Sequence, residues 1–301
     1  MLPVYPRLKP LELTDKNDIE KLVALYPPYS DFNFVSLWSW NIHNMAKVGT
    51  LNGNLVVLFQ DYITNEAFFT FIGERHVQET IDTLLSNASA CNVIDELRLI
   101  PEHTILQLPA GAYTVIEDTD NHDYVVSIQD VSEMKGTAYL SKRNHVNRFT
   151  REFGHISRLR HIDIRSRQQQ EQILSLFETW QKARGKLDME TINELKAIRR
   201  LFLGAHIFDL HSMGLFIESE LVAFAIHEKV QQQYVVFHFE KADTNYIGIF
   251  EYCKRHVSTA LLHDGSVYMN LEQDLGIEGL RKAKQSYRPV HFLKKYTVRK
   301  E

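Results

Sequence analysis

Hydrophobic positions run through the same plan twice along the chain. In the first half, residues 47–51 and 54–59 flank Asn52-Gly53, and that dipeptide between apolar runs predicts a β-hairpin. A strand over 67–72 follows, then a helix with Val77, Ile81, Leu84 and Leu85 at helical spacing, then a strand over 96–100. In the second half, residues 213–217 turn at Glu218-Ser219-Glu220 into 221–226, and 234–239 form the next strand. Residues 246–262 read as a helix with Ile249, Tyr252, Cys253, His256, Val257 and Leu261 on one face, and 267–270 as the strand after it. Both copies therefore run hairpin, strand, helix, strand.

Between the copies, residues 129–153 are polar and basic, and turn helical after Lys135-Gly136. Residues 157–164 read as a strand. Residues 167–205 read as two helices broken around Arg184-Gly185-Lys186, with Leu174, Phe177 and Trp180 on the apolar face of the first helix and Leu195, Ile198, Leu201 and Phe202 on that of the second. The second half is then β, α, α, β-hairpin, β, α, β, α, β, an order that resembles the Gcn5-related N-acetyltransferase fold. The first half resembles a trimmed copy of it. The expected fold class is α/β (α+β), with two tandem acetyltransferase-like domains, each a mixed sheet flanked by helices. Residues 1–130 would form a degenerate copy and 131–301 the active one.

Bulk properties narrow the function classes. A chain of 301 residues suits two domains. A net charge of −4 argues against a wholesale nucleic-acid binder and leaves room for a local basic groove; no DNA partner is expected. Cys91 and Cys253 lack CxxC spacing and no signal peptide is evident, so reduced thiols and a cytoplasmic location are expected. No apolar run approaches the ~20 residues of a membrane span, which predicts no integral membrane association. There is no HExxH, P-loop or GxGxxG, and His206 and His211 stand off one helix face, so no metal site is expected.

Chemistry-bearing residues concentrate near the C-terminus. Asn270, Glu272 and Asp274 alternate, which places them on one face if the segment stays extended, and a carboxylate there suits removal of a proton from an attacking amine or hydroxyl. The alternative is a solvated strand edge and helix cap. Gly276 breaks the strand, and Ile277 begins a helix on which Arg281, Lys284 and Arg288 share a face suited to phosphate. A second basic cluster, Lys142, Arg143 and Asn144 with Arg148 and Arg151 beyond, lies on the helix joining the halves. In acetyltransferases of the resembling fold, the loop before the main helix cradles the pyrophosphate of acyl-CoA. Here that loop places Asn245, Ile247, Gly248 and Ile249 as candidate cofactor contacts, with Gly248 permitting close backbone approach. Asp243 or Thr244 capping an ordinary helix explains the same residues. The fold also suggests Tyr287 as the acid that protonates a leaving group, against a core tyrosine under Pro289.

Three segments together resemble the lysyl-phosphatidylglycerol synthase C-terminal family: Ser30-Asp31-Phe32-Asn33-Phe34 to Trp40, Lys142-Arg143-Asn144 to Phe149, and Asn270 through Pro289. The resemblance implies a tandem acetyltransferase-like fold similar to that of the Fem-type peptidyltransferases. It also implies transfer of an aminoacyl group from aminoacyl-tRNA, in characterised relatives to a lipid glycerol hydroxyl. The expected activity is an acyl- or aminoacyl-transferase using aminoacyl-tRNA or acyl-CoA, with Asp274 or Glu272 as base, Tyr287 as acid, and Lys142, Arg143, Asn144, Asn270, Arg281 and Lys284 binding substrate. A non-catalytic binding protein that retains the fold is the competing expectation.

Overall fold

In the computed structural model, residues 1–61, 64–109, 111–185, 188–231 and 233–300 are described. They form two compact units: Met1–Asp123 with Gln273–Ile277 and the chain from Phe292 onward, and Tyr124–Glu272 with Glu278–His291.

The first unit contains β1 (Lys9–Pro10), α1 (Lys16–Val23), α2 (Phe34–Trp40), β2 (Lys47–Leu51), β3 (Asn54–Gln60), β4 (Ala67–Ile72), α3 (Val77–Ser86), β5 (Leu97–Pro101), α4 (Glu102–Ile105) and β6 (Thr114–Glu117). The predicted hairpin is β2–β3, paired antiparallel from Lys47↔Leu58 to Leu51↔Asn54. Its turn needs two residues with positive φ; Asn52 at 55° and Gly53 at 82° supply them. Val77, Ile81, Leu84 and Leu85 of α3 pack on Val56, Phe69, Phe71 and Leu97, so the helical face read from the sequence is the face buried on the sheet.

The second unit contains β7 (Asp123–Ser127), α5 (Ile128–Glu133), α6 (Leu140–Phe153), β8 (Ser157–His161), α7 (Arg167–Arg184), α8 (Met189–Gly204), β9 (Leu210–Ile217), β10 (Glu220–Lys229), β11 (Tyr234–Ala242), α9 (Ile249–His263), β12 (Tyr268–Asn270), α10 (Glu278–Gln285) and β13 (His291–Leu293). The last strand, β14 (Lys295–Arg299), lies in the first unit's sheet. The sheets run β1-β2-β3-β4-β5-β14-β6 and β13-β7-β12-β11-β10-β9-β8. In each, an antiparallel run ends in one parallel pair across a helix: β4 with β5, and β11 with β12. This is the duplicated plan, and the fold is a tandem of acetyltransferase-like domains.

The units differ from the expected halves at both ends. β7 pairs with β12 through Ser127↔Tyr268 to Val125↔Asn270, which carries residues 124–130 into the second unit. β14 pairs with β5 and β6, which carries the C-terminal strand into the first. Several element ends also differ. α5 precedes Gly136, capped by the Ser127 hydroxyl accepting from Asp130 N, and it buries Ile128 and Val131. β10 runs on to Lys229 because His227 and Glu228 are buried in it despite their polarity. α10 starts at Glu278 rather than Ile277. At the predicted break between α7 and α8, Gly185 closes α7 with φ 63°, and Lys186 lies outside the described residues.

The first unit is tied through Lys295, whose side chain has no exposed surface. Its Nζ lies 2.8 Å from Asp123 Oδ1, pairs with Asp31 Oδ2, and is 3.3 Å from Ser30 Oγ. Ser30 N donates to Asp123 Oδ2 at 2.7 Å. Burial disfavours the ammonium, but Asp123 and Asp31 outweigh it and hold Lys295 above the ordinary lysine range. Removing a buried cation from its anions leaves uncompensated charge, at a cost of about 3–5 kcal/mol. Lys295→Met is expected to lower the unfolding free energy of the first unit by that amount, with a matching fall in its urea midpoint, read by the fluorescence of Trp38 and Trp40 in α2; an unchanged midpoint would show that the cluster contributes nothing.

Candidate active site

Residues at the end of β11 build the site in the second unit. β12 pairs with β11 only through Tyr234↔Tyr268, Val235↔Met269 and Val236↔Asn270. β11 continues to Ala242, whereas the chain after Asn270 follows β7, with Leu271 N donating to Tyr124 O at 2.8 Å. The two parallel strands therefore part at their carboxyl ends, the position at which open α/β sheets bind ligands.

A bulge lies beside this parting. Ile226 of β10 faces Phe239 and His227 faces Phe237, so His238 has no opposite residue. Bulges of this kind re-aim a side chain. The His238 ring, 1% exposed, sits between two carboxylates: Nδ1 is 3.2 Å from Glu272 Oε1 and Nε2 is at ion-pair distance, 3.3 Å, from Glu228 Oε1. Burial works against its charge, but the two carboxylates prevail and push it up to about 9. His238 is thus an imidazolium at neutral pH that holds Glu272 and Glu228. It is not a free base.

Next to it, Phe237 stacks on His227 with ring centroids 5.1 Å apart, and His227 in turn on His211 at 5.8 Å. Burial, then His211 and His238, push His227 down to about 3, so it stays neutral. Phe237 also carries the Lys254 ammonium 4.3 Å from its ring centre, and Lys254 Nζ pairs with Glu240 Oε2 at 2.6 Å. Lys254 lies 5.7 Å from the Tyr287 ring centre and Lys142 lies 3.5 Å from it. Lys142 Nζ is 3.6 Å from Glu251 Oε1, and burial pulls its ammonium below the usual lysine range against that pairing. Tyr287 is buried. Desolvation, with Glu240 and Glu251 nearby, raises its phenol well above the usual range, so it keeps its proton.

The remaining predicted residues divide. Arg143 binds backbone, donating to Gly136 O at 2.6 Å and to Met134 O, and thereby fastens the chain between α5 and α6. Asn144 is exposed. Asn270 is fully buried, and its Oδ1 accepts from Glu272 N at 2.7 Å. Arg281 and Lys284 are half-buried on α10. Asn270, Glu272 and Asp274 do not share an extended face: φ is +59° at Glu272, and β12 has already ended at Asn270. Glu272 falls in the second unit and Asp274 in the first, where Asp274 is fully buried and its Oδ1 accepts from Gly276 N at 2.8 Å, closing a turn.

In the loop before α9, Asn245 and Ile247 are exposed and Ile249 lies in the core. Gly248 has φ +87°, and a Cβ there would stand 2.2 Å from the His145 carbonyl oxygen of α6. Glu251, in the first turn of α9, is engaged by Lys142 and by His145 Nδ1 at 3.4 Å. The close approach at Gly248 is thus made by α6, and a carboxylate already faces the positive end of the helix.

His238, Glu228, Glu240 and Lys254 belong to no motif; polar residues inside apolar runs at 227–228 and 238–240 mark the first three, and nothing in the sequence marks Lys254 on α9.

Two mixed sheets with this connectivity, and charged residues at the parting of parallel strands, define a tandem acetyltransferase-like protein with the fold of acyl- and aminoacyl-transferases. The profile of the family described as phosphatidylglycerol lysyltransferase, C-terminal, matches residues 23–299, and the chain belongs to that family. A conserved protein of unknown function from Bacteroides thetaiotaomicron is similar over 100% of both chains, at 24% identity and TM-score 0.86. L-PGS from Bacillus licheniformis is similar at 15% identity and TM-score 0.61, over 95% of this chain and 92% of that one. FemX is similar at 6% identity and TM-score 0.59, over 97% and 96%. No curated protein sequence matches the chain. Among the described residues no helix is long and apolar enough to cross a membrane.

Two outcomes follow from this geometry. His238, raised above its unfolded value of about 6.5, contributes stability that is complete below pH 6.5 and is lost as pH rises toward 9. His227, depressed to about 3, contributes stability that is complete above pH 6.5 and is lost as pH falls. Each effect is on the order of a few kcal/mol. Denaturant titrations across pH should show the alkaline limb flattened by His238→Gln and the acid limb by His227→Gln. Separately, Gly248→Ala should destabilise by at least about 1–3 kcal/mol, since it adds left-handed strain and a clash with the α6 backbone; a thermal melt checks this.

Proposed function

We propose that the protein is an aminoacyltransferase that moves an aminoacyl group from the 3′ end of tRNA to an amine or hydroxyl acceptor at the parting of β11 and β12. The observation that carries the choice of donor is the packing of α6 over the start of α9, where Gly248 meets His145 and Glu251 meets Lys142. That packing disfavours acyl-CoA and is compatible with an ester donor that needs no pyrophosphate cradle. The family's description as lysyltransferases and the likeness to FemX agree with this reading.

Glu272, held by the His238 imidazolium, takes the proton of the attacking amine or hydroxyl. The acceptor atom bonds to the ester carbonyl carbon, and the bond from that carbon to the ribose oxygen breaks. Tyr287 gives its proton to the departing oxygen, and Lys142 over its ring steadies the phenolate until the proton returns. The products are an amide or ester and a free tRNA 3′-hydroxyl. Asp274 holds its turn and takes no step, and phosphate contacts fall to Arg281 and Lys284 on α10.

The test is transfer of radiolabelled lysine and alanine from charged tRNA to free amines and to phosphatidylglycerol vesicles. Glu272→Gln and Tyr287→Phe should each lower kcat by about 100-fold or more with tRNA binding retained. Transfer at the wild-type rate in Glu272→Gln would remove its assigned role. Absence of transfer from either charged tRNA to both acceptors, with acetyl-CoA turned over instead, would overturn the reading.

A further inference from the structure

Arginine collects along one run of the second unit, from α6 through β8 to α7. Residues 148–167 contain six arginines (Arg148, Arg151, Arg158, Arg160, Arg165 and Arg167) and no lysine, against Glu152 and Asp163 alone. The local net charge is +4 in a chain whose total is −4. All six side chains are exposed. They follow the end of α6, the length of β8 and the start of α7 within the second unit.

β8 is the last strand of its sheet, so its outer edge has no strand neighbour among the described residues. Leu159 packs into the core against Phe149 and Ile217, which turns Arg158 and Arg160 to the other, shared face. Their Cα atoms stand about 7 Å apart by strand geometry. Arg158 donates only to backbone, to Ser157 O at 2.7 Å and His155 O at 3.1 Å, and Arg160 lies 5.6 Å from the Phe216 ring centre. Neither meets a carboxylate among the described residues. Arg148 and Arg151 share one carboxylate, Glu152, at 3.0 and 3.4 Å. Arg165 pairs with Asp163 at 2.9 Å and Arg167 with Glu171 at 3.1 Å, so the charge left over is that of Arg158, Arg160 and one of the two arginines that share Glu152.

We infer that this edge is the docking surface for the phosphate backbone of the donor tRNA, away from its acceptor end. The inference rests on the RNA-borne donor proposed above. The all-arginine composition favours nucleic acid over an anionic lipid surface. Guanidinium forks bind phosphate bidentately and stack on bases, whereas attraction to a charged bilayer does not distinguish arginine from lysine. An edge strand with two unneutralised arginines on one face also suits successive phosphates of one strand.

The experiment measures binding of uncharged tRNA by fluorescence anisotropy across a salt series, with the full-length protein, Arg158→Gln/Arg160→Gln, and Arg158→Glu/Arg160→Glu. Wild-type affinity should fall steeply with salt, and the neutral double variant should bind on the order of tenfold or more weakly, with the slope reduced by about 1 for each arginine that contacts phosphate. Charge reversal should abolish binding, while thermal melts confirm that both variants are folded. Wild-type affinity and slope in both variants would overturn the inference, as would absence of tRNA binding at low salt. Arginine-dependent sedimentation with phosphatidylglycerol vesicles in place of tRNA binding would also overturn it. Wild-type transfer from a short aminoacylated acceptor-end oligonucleotide, too small to reach the stripe, tests the transferase reading separately. Transfer from it without arginine-dependent tRNA binding would leave that reading standing and sink this surface.

Discussion

A buried ammonium organises the first unit. Lys295 sits where no water reaches, and only the facing carboxylates of Asp31 and Asp123 make its charge tolerable there. Because Lys295 begins β14, and β14 lies between β5 and β6, this requirement places the last strand of the chain in the sheet otherwise built by residues 9–117. Ser30 and Asp31 come from the aromatic segment near the N-terminus, and Gln273 from the short stretch that the first unit takes from the middle of the C-terminal region. Four separate parts of the chain, at Ser30-Asp31, Asp123, Gln273 and Lys295, thus share one charge-compensated node. Its energy is conditional, since each partner is tolerable only in the presence of the others.

The second unit uses buried charge differently. At the parting of β11 and β12, His238 is protonated between Glu228 and Glu272, so the imidazolium neutralises and orients carboxylates rather than accepting a proton. Lys254 and Lys142 meet Glu240, Glu251 and the faces of Phe237 and Tyr287. Low exposure strengthens each of these interactions. Tyr287, desolvated and facing Glu240 and Glu251, keeps its proton as a result.

Much of the fold was legible. The Asn52-Gly53 turn, the α3 face and the repeated order of hairpin, strand, helix and strand all depend on local backbone preference or on side-chain period. The candidate site was legible in part. Lys142 and Tyr287 were named, and they meet, but their contact joins helix α6 to the segment after α10 and has no trace in spacing. The alternation of Asn270, Glu272 and Asp274 misled because it presumes an extended chain, and positive φ at Glu272 ends that extension. Gly248 read as an opening for a ligand, whereas the space is taken by the His145 carbonyl.

The sequence by itself determined the two hairpins, the strands and helices that follow them and the two-copy plan, since these follow from hydrophobic period and turn chemistry within a few residues of each position. Only the tertiary structure decided which charges meet. The pairing of Lys295 with Asp31, the bulge that seats His238 between Glu228 and Glu272, and the laying of α6 over the start of α9 each join residues far apart in the chain. Electrostatic interaction in a low-dielectric interior depends on distance and burial, and neither quantity is written in the order of residues.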